Sequence, residues 1–125
     1  MKTKINVSSG ADEILSKIRS KFSIRPNIVC RYAVILSLQV VEDPVVCNDN
    51  SGREFNRVTL TGDDDILIRE LIKMHYTEFI SDDEYMNVFL KAHLERGLKL
   101  LSQNIAQTKS FDNYLMQLIM NGELI

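Results

Sequence analysis

The sequence predicts a mainly α fold: a compact bundle of about five helices with a short N-terminal strand and a small hairpin or loop around residues 44–61. Three observations predict it. Apolar residues recur at three- and four-residue spacing over most of the chain, the signature of helices that each bury one stripe. Capping and turn-forming residues punctuate those stripes at helix-length intervals. With 125 residues, 45% of them hydrophobic and 26% charged, the chain has enough apolar material for one core and too little length for two separate ones.

The elements follow in order. Thr3, Ile5 and Val7 alternate with Lys2, Lys4 and Asn6, the period-2 pattern of a strand with one apolar face. Ser8 or Ser9 then supplies a helix N-cap, Gly10 interrupts the strand, and Asp12 and Glu13 fall in the first turn, where the helix dipole favours acids. Ala11, Ile14, Leu15, Ile18 and Phe22 form the buried stripe of the first helix. Pro26 suits the first position of a second helix, which carries Ile28, Val29, Tyr32, Ala33 and Leu36. Val34 and Ile35 make that helix apolar on more than one face, which places it at the centre of the fold or at an oligomer interface.

Asp43-Pro44 and Asn48-Asp49-Asn50-Ser51-Gly52 mark a loop, and Val45-Val46-Cys47 with Phe55, Val58 and Leu60 read as a small hairpin around it. Asp63, Asp64 and Asp65 open a third helix with the stripe Ile68, Leu71, Ile72, His75 and Phe79. Ser81 and Glu84 form a capping box for a fourth, whose stripe is Met86, Phe89, Leu90, His93, Leu94, Leu98 and Leu101. Gly97 sits on that apolar side. A mid-helix glycine costs about 1 kcal/mol relative to alanine, so it implies close approach of another helix, from the same chain or a second copy. Ser110 and Asp112 begin a fifth helix with Phe111, Tyr114, Leu115, Leu118 and Ile119, ended by Asn121-Gly122. The whole chain, residues 1–125, reads as a single domain with residues 106–125 as a C-terminal extension helix.

Composition excludes several classes. Two cysteines, Cys30 and Cys47, are too few for a disulfide-stapled scaffold, and they cannot supply a four-cysteine iron–sulfur site, so no cofactor is expected. No apolar run approaches the roughly 18 residues of a membrane span, and no signal peptide is visible, so the expected location is the cytoplasm. The net charge of −2 conceals a segregation: residues 1–31 sum to +5, residues 32–95 to −8, and residues 96–125 to +1. A mildly acidic chain of this kind presents a basic N-terminal face to a polyanion.

Within that face, the order strand, helix, turn, helix matches a ribbon-helix-helix start, with Lys2, Lys4 and Asn6 on the polar side of the strand. Lys17 and Lys21 lie four residues apart on one edge of the first helix and Arg19 on the other, with Arg25 and Arg31 nearby. Ammonium and guanidinium groups in such a set match phosphate oxygens and release condensed counterions. The plainer reading is a solvated helix face, with Glu13 and Lys17 as an i,i+4 pair. Asp63, Asp64 and Asp65, with Glu54, raise a metal-dependent nuclease reading, but three consecutive acids at a helix start are explained more economically by capping and the dipole. His75 and His93 fall on buried stripes without a second ligand at zinc spacing, and no phosphate loop, nucleophile elbow or HExxH is present.

Three blocks carry a family resemblance: Arg25-Pro26-Asn27-Ile28-Val29-Cys30-Arg31, then Gly52-Arg53-Glu54-Phe55-Asn56-Arg57-Val58-Thr59-Leu60-Thr61-Gly62, then Ala92-His93-Leu94-Glu95-Arg96-Gly97-Leu98-Lys99-Leu100-Leu101. In this order and spacing, from about residue 8 to about residue 105, the chain resembles the DndE family, the small subunit of the Dnd DNA phosphorothioation (DNA sulfur modification) system. The resemblance implies a helical homotetramer that binds double-stranded DNA, preferring nicked duplex, through surface lysines. It implies partnership with the cysteine desulfurase, iron–sulfur adenylating and ATPase subunits of the modification machinery. Carried onto this chain, the DNA-binding role falls on Lys17 and Lys21, with Arg19, Lys4, Lys2 and Arg25 as further candidates. Asn27, Arg31, Glu54, Asn56, Arg57, His93 and Arg96 are motif residues with either DNA or fold roles. Two other readings remain: a DNA nickase using the acidic residues with Mg²⁺, and a scaffold for the other Dnd subunits that does not touch DNA.

Overall fold

The computed structural model of the chain describes residues 3–76 and 78–106. Lys2 and the fifth helix read over residues 110–122 lie outside them. The described chain is mainly helical. Its elements are β1 (Lys4–Asn6), α1 (Ser9–Phe22), α2 (Pro26–Leu38), β2 (Glu54–Asn56), α3 (Arg57–Thr61), α4 (Asp65–His75), α5 (Asp82–Glu84) and α6 (Leu90–Ile105). A 3₁₀ turn, Gly62–Asp64, links α3 to α4, and a π-helical turn, Tyr85–Phe89, links α5 to α6.

Local chemistry sets the ends of these helices. Ser8 caps α1, its hydroxyl accepting from the Ala11 amide at 3.0 Å. Pro26 takes the first position of α2, where a missing N–H costs nothing. At α5 both halves of the capping box form: Ser81 Oγ accepts from the Glu84 amide at 3.1 Å, and the Glu84 carboxylate accepts from the Ser81 amide at 3.2 Å.

The core lies where α2 and α6 cross. Val29, Cys30, Ala33 and Val34 of α2 meet Leu94, Leu98 and Leu101 of α6, all at 3% exposure or less. Leu15 and Ile18 of α1, and Ile68 and Ile72 of α4, close it from the sides. Gly97 makes the crossing possible. A Cβ built there would stand 1.8 Å from the Ala33 carbonyl oxygen, so only a hydrogen fits between the backbones. The close approach implied by the sequence is therefore made within the chain.

Two expectations are corrected. The hairpin does not form: residues 43–51 carry no regular structure, Val58 and Leu60 lie in α3, and Phe55 belongs to β2, which pairs antiparallel with β1 in the register Lys4↔Asn56, Ile5↔Phe55, Asn6↔Glu54. The pairing is chosen by burial, since it brings Ile5 and Phe55 together on the core side at 4% and 7% exposure. Ile5 and Val7 face the core as the alternation predicts, Thr3 is exposed, and β1 pairs within the chain, not with the strand of a second copy as the ribbon-helix-helix order implies. The third helix is also shorter than its stripe predicts. It ends at His75, Tyr76 turns to extended backbone, and Phe79 stands outside at 86% exposure. Tyr76 takes the place Phe79 would have filled, its ring 4.6 Å from that of Phe89.

Candidate nucleic-acid interface

α1 positions the basic residues. Its buried stripe, Ala11, Leu15 and Ile18, fixes the rotation of the helix, so Lys17 and Lys21 emerge together on one exposed edge and Arg19 on the other. Lys17 reaches Glu13 at 3.2 Å with both side chains largely in solvent, a pairing worth about 0.3–0.5 kcal/mol that a phosphate displaces readily. The Lys21 ammonium sits 5.6 Å from the centre of the Phe22 ring. Arg25 is exposed at the residue preceding α2, and Lys4 extends from β1 to Glu54 at 3.6 Å. The helix thus unites Lys17 with Lys21. Arg19 and Lys4 belong to separate faces, and Lys2 lies outside the described residues.

One acid near this edge is already occupied. Asp12 holds Arg53, its carboxylate accepting from the Arg53 Nε at 2.5 Å and the Arg53 amide at 3.0 Å, while Arg53 Nη2 donates to Ser16 Oγ at 2.8 Å. This fork fastens β2 to α1. Sequence spacing gave no sign of it, because the partners stand 41 residues apart.

The remaining motif residues hold the fold. Arg31 donates to the carbonyls of Leu60 at 2.8 Å and Thr59 at 3.0 Å, and Asn27 to Thr59 at 3.2 Å, so α2 grips the end of α3. Arg57 is clamped between Asp65 and Asp82 by four hydrogen bonds of 2.7–3.0 Å. The Arg57 hydrogen bond holds the Asp82 carboxyl down at about 2. Burial alone would raise Asp65, but the hydrogen bonds from Arg57 and Thr61 outweigh it and hold that carboxyl below its usual range.

Arg96 donates to Ser37 Oγ and to the Ser37 carbonyl, both at 2.8 Å, and to the Glu42 carbonyl at 2.5 Å, which ties α6 to the end of α2 and the segment after it. His93 is fully buried beside this arginine, with Nδ1 2.9 Å from Ser37 Oγ and Nε2 3.1 Å from the Tyr76 hydroxyl. Burial, the Arg96 charge and His75, whose ring lies 5.0 Å away, push its pKa down to about 3.

An unfolded histidine takes its proton near pH 6.5, whereas folded His93 stays neutral to about pH 3. Stability is complete above pH 6.5 and falls below it by up to about 1.4 kcal/mol per pH unit. Urea unfolding at pH 7.5 and pH 5 is expected to show this loss in the native chain and little of it in His93→Gln. Equal losses in both chains would assign the acid limb to other groups.

The acidic residues do not assemble a metal centre. Asp65 is committed to Arg57 and Thr61, Glu54 pairs with Lys4, and Asp63 and Asp64 point to solvent from the 3₁₀ turn. Among the described residues no three His, Cys, Asp or Glu side chains come together in a metal-holding group. Cys30 is buried, and burial pushes its thiol up to about 12; Cys47 is half-buried and also free. No helix among the described residues is long and apolar enough to cross a membrane.

The family model of DndE, DNA sulphur modification protein DndE, matches residues 4–109. A crystal structure of DndE from Escherichia coli B7A, described as involved in DNA phosphorothioation modification, is similar with a TM-score of 0.67 at 21% identity, over 81% of this chain and 97% of that one. A crystal structure of a DndE G21/24K mutant involved in DNA phosphorothioation is similar with a TM-score of 0.65 at 21% identity, over 82% of this chain and 99% of that one. At this identity the two structures establish a shared fold. No curated protein matches the chain.

Proposed function

The chain belongs to the DndE family, and from that premise we propose that it is a cytoplasmic, DNA-binding accessory subunit of the DNA phosphorothioation machinery, holding double-stranded, nicked DNA for the other Dnd subunits. The observation that carries this reading is the pair Lys17 and Lys21, two exposed cations on one edge of a helix in the +5 segment of an acidic chain. Arg19, Lys4, Arg25 and Lys2 belong to the same segment but not to the same edge, and are further candidates for phosphate contact. Sulfur chemistry is left to the partner subunits.

One copy offers only a modest basic patch, and repetition raises its effective concentration on a duplex. A homotetramer provides that repetition, and the outward apolar residues of α2 and α4 suit it. Ile28, Leu67 and Met74 are 46%, 58% and 79% exposed, and Ile35, Leu38 and Leu71 line a groove between the two helices. Light scattering on the purified chain then reads four times 14.4 kDa.

The test is competition binding with nicked, intact and single-stranded DNA at several salt concentrations. Lys17→Glu with Lys21→Glu is expected to weaken duplex binding about tenfold or more and to flatten the salt slope by about two phosphate contacts per chain. Unchanged affinity and slope would reduce this edge to solvated surface. Native protein that binds no DNA while capturing a Dnd subunit would make the chain a scaffold.

A further inference from the structure

We infer that the cavity at the C-terminal end of α4 receives an arginine side chain presented by a basic segment of a partner protein. This rests on the reading of the chain as an accessory subunit and adds the chemistry by which a partner is held. The cavity has a volume of about 420 Å³ and lies between Asp43, the end of α4 and the stretch from Glu78 to Phe89. Its rim is acidic: Asp43, Glu78 and Glu84 are all exposed, and no lysine or arginine lines it. Its walls are aromatic. Tyr76 and Phe89 are half-buried with their rings 4.6 Å apart, and Phe79 stands beside them at 86% exposure. The Tyr76 hydroxyl is engaged with His93 Nε2 at 3.1 Å, so its polar end is spent in the interior and its ring serves the wall.

His75 asks for the same occupant independently of the acids. It lines the cavity with its side chain only 10% exposed. Its Nε2 stands 3.0 Å from the Val40 carbonyl, which only accepts, so that nitrogen carries a proton. In the neutral ring Nδ1 is then an acceptor, and it is buried without a hydrogen bond. The atom facing it at 3.3 Å is the Asp43 carboxylate oxygen, which accepts as well. Two acceptors side by side favour an incoming N–H donor, because a buried polar atom without a partner is costly.

The group that answers both features is a guanidinium. Its planar fork of five N–H donors reaches a carboxylate and the imidazole nitrogen together, and its face stacks on an aromatic ring. An ammonium brings the charge without the fork or the flat face. A metal ion is not the occupant, since among the described residues no three His, Cys, Asp or Glu side chains form a metal-holding group.

Charge and exposure point to a polypeptide as the carrier of that arginine. Residues 32–95 sum to −8, which draws a basic partner to this side of the chain. Arg96, the chain's own cation that interacts with Asp43, is committed to Ser37 and the Glu42 carbonyl. Phe79 carries a large apolar ring into solvent at the mouth of the cavity, where a small cation would leave it uncovered and a polypeptide flanking the arginine covers it.

The experiment titrates the full chain with a blocked Gly-Gly-Arg-Gly-Gly peptide at pH 7.5, followed by amide chemical shifts. The expected dissociation constant is about 1 mM, the strength of a few contacts, with shifts centred on Asp43, Glu78 and Phe79. The citrulline peptide keeps the shape and loses the charge, and is expected to bind at least about tenfold more weakly. The lysine peptide is expected to bind about threefold more weakly. Glu78→Gln with Phe79→Ser, both exposed positions, should weaken the arginine peptide about tenfold and leave nicked-duplex affinity unchanged. Lys17→Glu with Lys21→Glu should do the reverse. Thermal melts confirm that each variant folds.

No peptide binding by a chain that binds duplex overturns the cavity assignment and leaves the DNA-binding reading standing. Equal affinity for the arginine and citrulline peptides, or shifts centred elsewhere on the chain, also overturns it. A lysine peptide as tight as the arginine peptide overturns the guanidinium. Spermidine that binds the cavity more tightly than the peptide makes the occupant a free polyamine and overturns the protein partner. Peptide binding at the cavity by a chain that binds no duplex supports the cavity and overturns the DNA-binding reading.

Discussion

Arg57→Ala is expected to lower the unfolding free energy by about 3 kcal/mol, the low end of what removing one partner of a buried ion pair costs. The low end applies because Asp65 and Asp82 keep 21% and 29% exposure, while the Arg57 side chain keeps only 9%. Without the guanidinium, two carboxylates face each other in a site that the Tyr85 ring, 5.2 Å from the Arg57 guanidinium carbon, helps to close. The loss also has a pH signature. Both carboxyls are depressed in the folded chain, so their contribution is complete above the unfolded value near pH 4 and disappears as pH falls toward about 2. Denaturant titration at neutral pH checks the magnitude. Arg57→Lys should recover only part of it, because an ammonium cannot reproduce a fork bonded to two carboxylates. Full recovery by lysine would mean that charge alone, without the fork, holds the site.

Gly97→Ala is expected to cost about 3 kcal/mol and to lower the melting temperature by about 10 °C. The added methyl would meet the Ala33 carbonyl oxygen at 1.8 Å, so the α2–α6 crossing must open. Opening it loosens a core in which Leu94, Leu98 and Leu101 are fully buried. Because the obstruction is a backbone atom, Ala33→Gly should not rescue the variant. A melting temperature within 2 °C of the native chain would show that the helices separate at little cost.

The helices of this fold are legible in the sequence because their determinants are local. Ser8, Pro26 and the Ser81/Glu84 pair mark three helix starts, and the three-four stripes identify their buried faces except at Ile28 of α2, which is 46% exposed. The tract from Val58 to Leu60 misleads for a physical reason: two apolar residues one apart carry the strand period, whereas in α3 they fall on opposite sides, Leu60 buried and Val58 82% exposed, and the decision comes from a distance. Phe55 is claimed by Ile5 of β1, and Arg57 by Asp65 and Asp82, contacts that no local pattern announces. Phe79 fits the third stripe in spacing, yet Tyr76 takes its place by packing on Phe89.

The candidate site divides in the same way. The shared edge of Lys17 and Lys21, and the opposite placement of Arg19, follow from the helical angles of α1. The surroundings of the loop asparagines do not follow. The sequence identifies Asn48 and Asn50 as loop formers, and only the folded chain brings them beside Asn6 and Asn87. The motif residues Arg31, Arg57 and Arg96 are cations that face inward, bound to carbonyls, carboxylates and a hydroxyl, which composition alone would count toward a DNA surface.

The β1–β2 ladder joins Lys4 to Asn56 across nearly half the chain. Closing a ring of that size costs about 3.5 kcal/mol of chain entropy by the logarithmic law, before any constant term. Three residue pairs return little against that sum, so the strand has no independent existence. It depends on the packing of α2 and α6, which holds the chain together around it. The ladder is in this sense carried by the core: loosening the α2–α6 crossing is expected to release the N-terminal strand with it.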